Sequence, residues 1–360
     1  MVTPGPGRPY WLPMSDVTVR AAAPLRISFV GGGTDFPHWY EPHGGAVLSA
    51  TIDHHAEATL RPRDDDRIRI RSLDLHQMVQ YRLHEPPEYD GVMDLPKAAI
   101  DRVGLYRGVD VEVRCDAPPG SGLGGSSAVV TAMAGALAAF AGRSFTADEL
   151  ARTSYAIERE DLGIAGGWQD QYAAAYGGFN LLEFSAQRVD VIPVRAGPEV
   201  LRRLRANLLL CYTGQVRANL GLIDTQIRLF REGREETMQG MKQLQAMAYE
   251  MRDALESGDV DGLGEMLHEA YESKMRMNPH IAEGTRIERL FDAATKAGAT
   301  GGKICGAGGG GYLLLYCRQD RQPEVRAALE SLGVRLASFA FTPTGVEAQV
   351  GNAVWRPARR

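Results

Sequence analysis

Residues 120–127 read Gly-Ser-Gly-Leu-Gly-Gly-Ser-Ser and run into an alanine-rich stretch with no proline or glycine before Gly135. A glycine-rich loop that feeds a helix can turn its N–H groups inward, because no Cβ obstructs them. The helix behind it adds about half a positive charge at its N-terminus. Such a nest suits a polyphosphate, and here it has no lysine. Ser126 and Ser127 stand where a hydroxyl could reach a magnesium ion. The same residues satisfy G-x-G-x-x-G, a dinucleotide-binding pattern that needs a fully buried preceding strand and an acidic end to the next one. Here the preceding run alternates, Pro118 and Pro119 intervene, and the residues from 140 read Phe-Ala-Gly-Arg-Ser, a helix end. A Gly-Lys-Ser/Thr nucleotide loop is absent as well.

Two carboxylates form the second constellation. Glu158 and Asp170 are 12 residues apart, the first in a charged helix end and the second after Gly166-Gly167-Trp168-Gln169. Phosphoryl transfer needs one carboxylate on a metal and another near the attacking hydroxyl. A solvated helix surface is the alternative for Glu158, and spacing alone leaves it open. The tight turn before Asp170 favours a cleft. The third constellation is the run from Lys303 to Gly311, Lys-Ile-Cys-Gly-Ala-Gly-Gly-Gly-Gly. So many small residues before an apolar strand imply close approach of backbone, either to a ligand or to another segment.

The elements that must position these groups follow from periodicity. Strands are expected over 17–20, 25–30, 45–52, 56–61, 68–72, 109–115 and 312–317. Helices are expected over 128–141, 146–160 and 170–176. Thr146, three residues before Glu149, reads as a capping box. Beyond residue 197 two long amphipathic segments, 217–231 and 235–256, precede helices at 260–275 and 285–297. The division is therefore a flexible extension (1–16), an N-terminal lobe (17–195) and a C-terminal lobe (196–360) sharing an interface.

The 360-residue chain is 44% hydrophobic and carries a net charge of −5, with a pI near 6.0. That balance speaks against a nucleic-acid or membrane-surface binder, so an anionic substrate must be drawn by local cations. The four cysteines show no CxxC pair or zinc spacing and read as thiols in a reducing compartment. The N-terminus has prolines but no apolar signal core, and no apolar run nears the ~20 residues of a bilayer span. A cytoplasmic protein is expected. A second copy of the chain is the one macromolecular partner left open.

The three segments together, residues 24–35 (Pro-Leu-Arg-Ile-Ser-Phe-Val-Gly-Gly-Gly-Thr-Asp), 119–128 and 303–311, resemble the signature motifs of the GHMP small-molecule kinases. The resemblance runs from about residue 18 to 350. Within the family, Gly-Gly-Gly-Thr-Asp-Phe-Pro (31–37), residues 43–53, Gly-Gly-Trp-Gln-Asp-Gln-Tyr (166–172) and residues 301–312 look like the D-glycero-D-manno-heptose 7-phosphate kinases. The fucokinases are a near neighbour. Galactokinases carry Gly-Glu-His-Thr-Asp where this chain has Gly-Gly-Gly-Thr-Asp.

The resemblance implies an α+β fold with a ribosomal-protein-like N-terminal lobe and a ferredoxin-like C-terminal lobe. It implies an ATP-dependent sugar kinase acting at the C1 hydroxyl of a heptose 7-phosphate. The ATP phosphates would rest on Pro119, Gly120, Ser121, Gly122, Leu123, Gly124, Gly125, Ser126 and Ser127. Ser127 and Glu158 would hold Mg2+. Asp170 would be base or orienter, and Arg26 would stabilise charge on Asp170 and on the transferring group. Asp35 would accept bonds from sugar hydroxyls, beside Gly33, Thr34, Gly167, Gly308 and Gly309. The 7-phosphate asks for cations, for which Arg217, Lys274 and Arg276 are candidates, with His38 and His43 as alternatives. A kinase for another sugar and a silent binding protein on the same scaffold are the rival readings.

Overall fold

The computed structural model describes residues 17–214, 221–281 and 286–359. Seven strands come first: β1 (Val19–Val30), β2 (Gly45–Pro62), β3 (Arg67–Ser72), β4 (Gln77–Arg82), β5 (Val109–Cys115), β6 (Phe179–Phe184) and β7 (Val189–Pro193). A second, four-stranded antiparallel sheet follows, built of β8 (Leu208–Tyr212), β9 (Gly301–Ile304), β10 (Tyr312–Tyr316) and β11 (Arg335–Ala337) in the order β11-β8-β10-β9. The chain then returns to the first sheet with β12 (Glu347–Val350) and β13 (Ala353–Trp355). Its main path is β13-β12-β1-β2-β5-β3-β4, with β6 pairing β2 and β7.

A cut at residue 195 therefore leaves β12 and β13 on the side opposite the sheet they complete. Their partner is the edge of β1, with Val19 beside Val350. Local pattern carries no information about a pairing between the two ends of a chain.

β2 corrects the expected pair of strands at 45–52 and 56–61. The strand continues through Asp53 and His54, where the register against β1 slips between Pro24 and Leu25. Asp53 is not wasted in this bulge: its Oδ1 accepts from the Ala340 N–H at 2.7 Å. Polar residues that look like a break are thus a bulge, which bends a strand without ending it. The bend lets one strand serve two partners, β6 along residues 45–50 and β5 along 56–62.

Five helices accompany the first sheet: α1 (Pro37–His43), α2 (Asp94–Val103), α3 (Gly125–Phe140), α4 (Ala147–Ala156) and α5 (Gln169–Tyr176). Six more follow in the chain: α6 (Pro198–Ala206), α7 (Leu222–Arg231), α8 (Glu235–Ser257), α9 (Leu263–Met277), α10 (Arg286–Ala297) and α11 (Gln322–Ser331). α3 is buried from Ser127 to Phe140 except for half-buried Val129, which is why its sequence is apolar all round. The Thr146 capping box is present, Thr146 Oγ1 accepting from the Glu149 N–H at 3.1 Å and Glu149 accepting in return from the Thr146 N–H at 2.8 Å. α4 does not run on to residue 160 as an α-helix. It widens into a π-helical turn, Ile157–Asp161. α8 packs on α9 and also on β2, and the Trp39 indole of α1 donates to Gln245 of α8 at 2.9 Å. The two sheets are joined by this shared face, and the cleft lies along it.

Candidate active site

The cleft has a volume of about 760 Å3. Its floor is the 120–127 loop, with left-handed backbone at Gly120, Gly122 and Gly124. The third small-residue segment lies directly on this loop. A Cβ on Gly122 would stand 2.5 Å from the Cys305 carbonyl oxygen, and one on Gly306 would stand 2.6 Å from the Gly122 Cα. The Tyr312 N–H donates to the Ser121 carbonyl at 2.9 Å. Of the two readings left open for residues 303–311, backbone packing is the one seen. Gly306 and Ala307 reach the cleft wall, whereas Gly308 and Gly309 are turned onto Ile281. The Gly309 N–H donates to the Ile281 carbonyl at 3.0 Å, and neither glycine is among the residues that line the cleft.

Beside the loop, Arg26 is buried on β1 and bonded to Asp170 at the start of α5. Its Nε lies 2.8 Å and its Nη2 2.6 Å from Asp170 Oδ1, and its Nη1 donates to the Gly122 carbonyl at 2.6 Å. Gly124 makes room for the pair, since a Cβ there would stand 3.4 Å from both side chains. Asp170 keeps 23% of its side-chain surface exposed, so one face is open to the cleft.

Glu158 sits in the π-helical turn, fully buried, and is no solvated surface residue. Burial pushes its carboxyl up, against Arg159 and the hydrogen bonds of Ser127 and Gln171, which pull it down. Ser127 Oγ donates to Glu158 Oε2 at 2.7 Å, and Gln171 Nε2 donates to both. The Gln171 Oε1 atom is buried without a donor. One carboxylate, one hydroxyl and a spare amide oxygen form an oxygen-only donor set. That set fits a small hard cation that keeps water and phosphate oxygens for its other positions. Among the described residues no cluster of three or more His, Cys, Asp or Glu stands ready for a metal, so the polyphosphate itself would complete the shell.

The acceptor wall is led by Asp35, buried at 1% exposure. Its carboxylate accepts from the Gly33 N–H at 3.0 Å, the Gln169 N–H at 3.2 Å and Gln169 Nε2 at 3.2 Å. Burial pushes this carboxyl up, and those bonds pull it down. Gly167 is required here, because any Cβ would fall 2.0 Å from Asp35 Oδ2. Gly33 also lines the cleft. Thr34 does not: its hydroxyl donates to the Gly31 carbonyl at 2.8 Å and accepts from the Ala46 N–H at 3.1 Å, holding the turn to β2. Ser28 Oγ, Gln169 Oε1 and Gln226 Nε2 line the same wall, and all three are buried polar atoms without a partner. Sequence reasoning missed them, although Gln169 and Gln171 flank Asp170 in the chain.

The proposed cations separate. Lys274 is buried at the cleft, its Nζ donating to the Gly306 carbonyl, and burial pushes it down to about 8. Arg276, two residues on, is exposed to solvent on the other face of α9. Arg217 lies outside the described residues. His38 sits between the Phe36 and Phe230 rings, 5.5 and 4.8 Å between centroids, away from the cleft and pushed down to about 4 by burial. His43 packs on Trp39 at 4.5 Å. Lys303, quoted in the third segment but given no role, is buried in the cleft wall. Its Nζ donates to the Ser28 and Phe29 carbonyls at 2.7 and 2.9 Å, and burial pushes it down to about 7.

Backbone amides for a polyphosphate on one wall, facing a carboxylate held by an arginine on the other, make this the cleft of a phosphotransferase. The chain belongs to the GHMP kinase family, and it is an ATP-dependent sugar kinase of that family. The GHMP kinases N terminal domain matches residues 93–178 and the GHMP kinases C terminal domain matches residues 251–335. The D-glycero-alpha-D-manno-heptose 7-phosphate kinase of Campylobacter jejuni is 33% identical over 336 residues, spanning 92% of this chain and 98% of the relative. The crystal structure of a D-glycero-D-manno-heptose 1-phosphate kinase from Bacteroides thetaiotaomicron is 31% identical, covers 92% of this chain and 98% of its own, and superposes with a TM-score of 0.77. Lactococcus lactis galactokinase complexed with galactose shares the fold, at 19% identity and a TM-score of 0.75 over 91% of this chain and 94% of its own. No helix among the described residues is long and apolar enough to cross a membrane.

Proposed function

We propose that the protein transfers the γ-phosphoryl group of ATP to the anomeric C1 hydroxyl of D-glycero-D-manno-heptose 7-phosphate, giving the 1,7-bisphosphate. The observation that carries the reading is the Arg26–Asp170 pair, bonded through Arg26 to the carbonyl of Gly122 in the phosphate loop itself. An acceptor hydroxyl on the open face of Asp170 lies next to whatever phosphate that loop holds. Asp170 orients this hydroxyl and takes its proton as the new phosphorus–oxygen bond forms and the bond to ADP breaks. An anomeric hydroxyl is more acidic than an ordinary alcohol, so a carboxylate suffices. Arg26 fixes the Asp170 rotamer and balances charge on the transferring group.

Ser127 and Glu158 would hold Mg2+, which when bound neutralises the phosphate oxygens. Exposed Ser126 and the amides of residues 120–125 position the triphosphate. Ser28, Gln169 and Gln226, with their unpartnered polar atoms beside Asp35 and Gly33, suit a polyhydroxylated acceptor, since each orphan atom gains a partner when a hydroxyl arrives. The heptose and its phosphate come from the likeness to the Campylobacter relative.

ATP consumption with heptose 7-phosphate, heptose 1-phosphate, fucose and mannose 6-phosphate tests the reading, and phosphorus NMR of the product locates the new ester. Heptose 7-phosphate is expected to give the highest kcat/KM and an anomeric phosphate. Both phosphorylated heptoses lead to one bisphosphate, so the starting sugars must be compared rather than the products. No turnover of heptose 7-phosphate, or a new ester elsewhere than C1, overturns it.

A further inference from the structure

A sugar phosphate brings a dianion into a cleft already lined by six acidic side chains, Asp35, Asp74, Asp94, Glu158, Asp161 and Asp170, so a cation with unspent donors must meet it. Most of the cleft's cations are spent. Arg26 is engaged with Asp170 and Gly122, Lys303 with two carbonyls of β1, and Arg114 with Glu57 through two bonds of 2.9 and 2.7 Å. Lys274 bonds Gly306 beside the phosphate loop, which puts it on the nucleotide side.

Arg159 differs. It lines the cleft with 13% of its side chain exposed, and only two of its five N–H donors are matched. Nη1 reaches the Ile164 carbonyl at 3.2 Å and Nη2 the Gly167 carbonyl at a long 3.4 Å, while Nε is buried with no partner. Its nearest acid, Glu158, stands 3.8 Å away, beyond hydrogen-bond distance. The guanidinium lies 5.9 Å from the Tyr155 ring centroid, and that ring is stacked on Trp168 at 3.4 Å. A planar fork held over an aromatic floor with free donors is the arrangement that recognises a phosphate.

Its place fits the sugar's far end. The guanidinium rests on Gly166, where a Cβ would come within 2.4 Å of it. The next residue, Gly167, carries the Asp35 carboxylate against its own missing Cβ. Arg159 and Asp35 therefore flank one short run of backbone, and Asp170 follows three residues after Gly167, within about 10 Å of chain. We propose that Arg159 grips the terminal phosphate of the sugar substrate and sets the preference for a phosphorylated over an unphosphorylated acceptor. This rests on the reading of the acceptor as a sugar phosphate, and it replaces Arg276 and His38 in that role.

The test is the ratio of kcat/KM for heptose 7-phosphate to kcat/KM for unphosphorylated heptose, in the wild type, Arg159→Gln and Arg159→Lys. In Arg159→Gln the ratio is expected to fall by about 30-fold, through KM for the sugar phosphate, with KM for ATP unmoved. Arg159→Lys keeps the charge without the fork and should fall between. A wild-type ratio above one that persists in Arg159→Gln overturns the Arg159 assignment alone. So does an equal loss on both sugars, or a rise in KM for ATP, since either marks a role at the triphosphate or in bracing residues 164–167. A wild-type enzyme with no preference for the phosphorylated sugar overturns the underlying reading as well.

Discussion

The wall we propose for the nucleotide is built from backbone, whereas the wall facing it is built from side chains already bonded to one another. On the donor side the contacts that matter are those of Gly122 with Cys305 and Gly306, where nothing larger than hydrogen fits. On the acceptor side Arg26 holds Asp170 and Gln169 holds Asp35, while Gln171 holds both Ser127 and Glu158 where the two walls meet. A backbone wall fails when atoms are added to it. A side-chain wall fails when a charge or a donor is removed. The two halves of the reaction, binding the nucleotide and attacking it, should therefore come apart under mutation.

The largest effect belongs to Asp170→Asn. The amide oxygen can still accept from Arg26, so geometry survives while the proton acceptor is lost. Turnover should drop by about 1,000-fold or more with ATP affinity unchanged, as read by single-turnover kinetics and nucleotide titration. Near-normal turnover would break the comparison at its acceptor end. Gly122→Ala attacks the other wall. It places a Cβ 2.5 Å from the Cys305 oxygen at a φ of +81°, so the loop must shift. KM for ATP should rise by about 100-fold, with a lower Tm and with KM for the sugar little moved. Glu158→Gln sits where the walls meet. It keeps size but removes the charge beside Ser127, and the Mg2+ concentration giving half-maximal rate should climb by about 10-fold or more.

The same division separates what is legible in the amino-acid sequence from what only the fold brings together. Glycine loops announce themselves in one dimension, because the left-handed turns at Gly120, Gly122 and Gly124 are local demands on residue type. The Arg26–Asp170 pair spans 144 positions and came only from likeness to a family. The resemblance sets Thr34 beside Asp35 at the substrate, yet successive residues of extended backbone face opposite ways, and its hydroxyl holds the backbone of β2. Arg276 lies apart from the cleft for a similar reason: two residues after Lys274 on a helix, it points some 200° away and is exposed. Arg159 was passed over as part of a charged run, and the π-helical turn that seats it has no signature that periodicity detects.

The smallest effect sharpens the contrast on α9. Lys274 and Lys303 are pushed down by burial to about 8 and about 7, so at pH 7 Lys274 is mostly protonated and Lys303 about half. Rising pH neutralises Lys303 first and Lys274 next. An anionic ligand favours the charged forms, so its binding takes up protons, and linkage then requires affinity to weaken as pH rises from about 7 to 9. Calorimetry of an unhydrolysable ATP analogue in buffers of different ionisation enthalpy should show this uptake. Lys274→Met should weaken binding by about 10-fold at pH 7 and flatten the pH dependence. Arg276→Ala, exposed on the same helix, should leave affinity, KM for the sugar and the pH profile within about twofold of wild type. Should Arg276→Ala raise KM for the sugar phosphate as much as Lys274→Met weakens the nucleotide, the sugar's anionic end would lie against the outer face of α9. The acceptor wall would then extend beyond the cleft described by Asp35, Arg159 and Gln226.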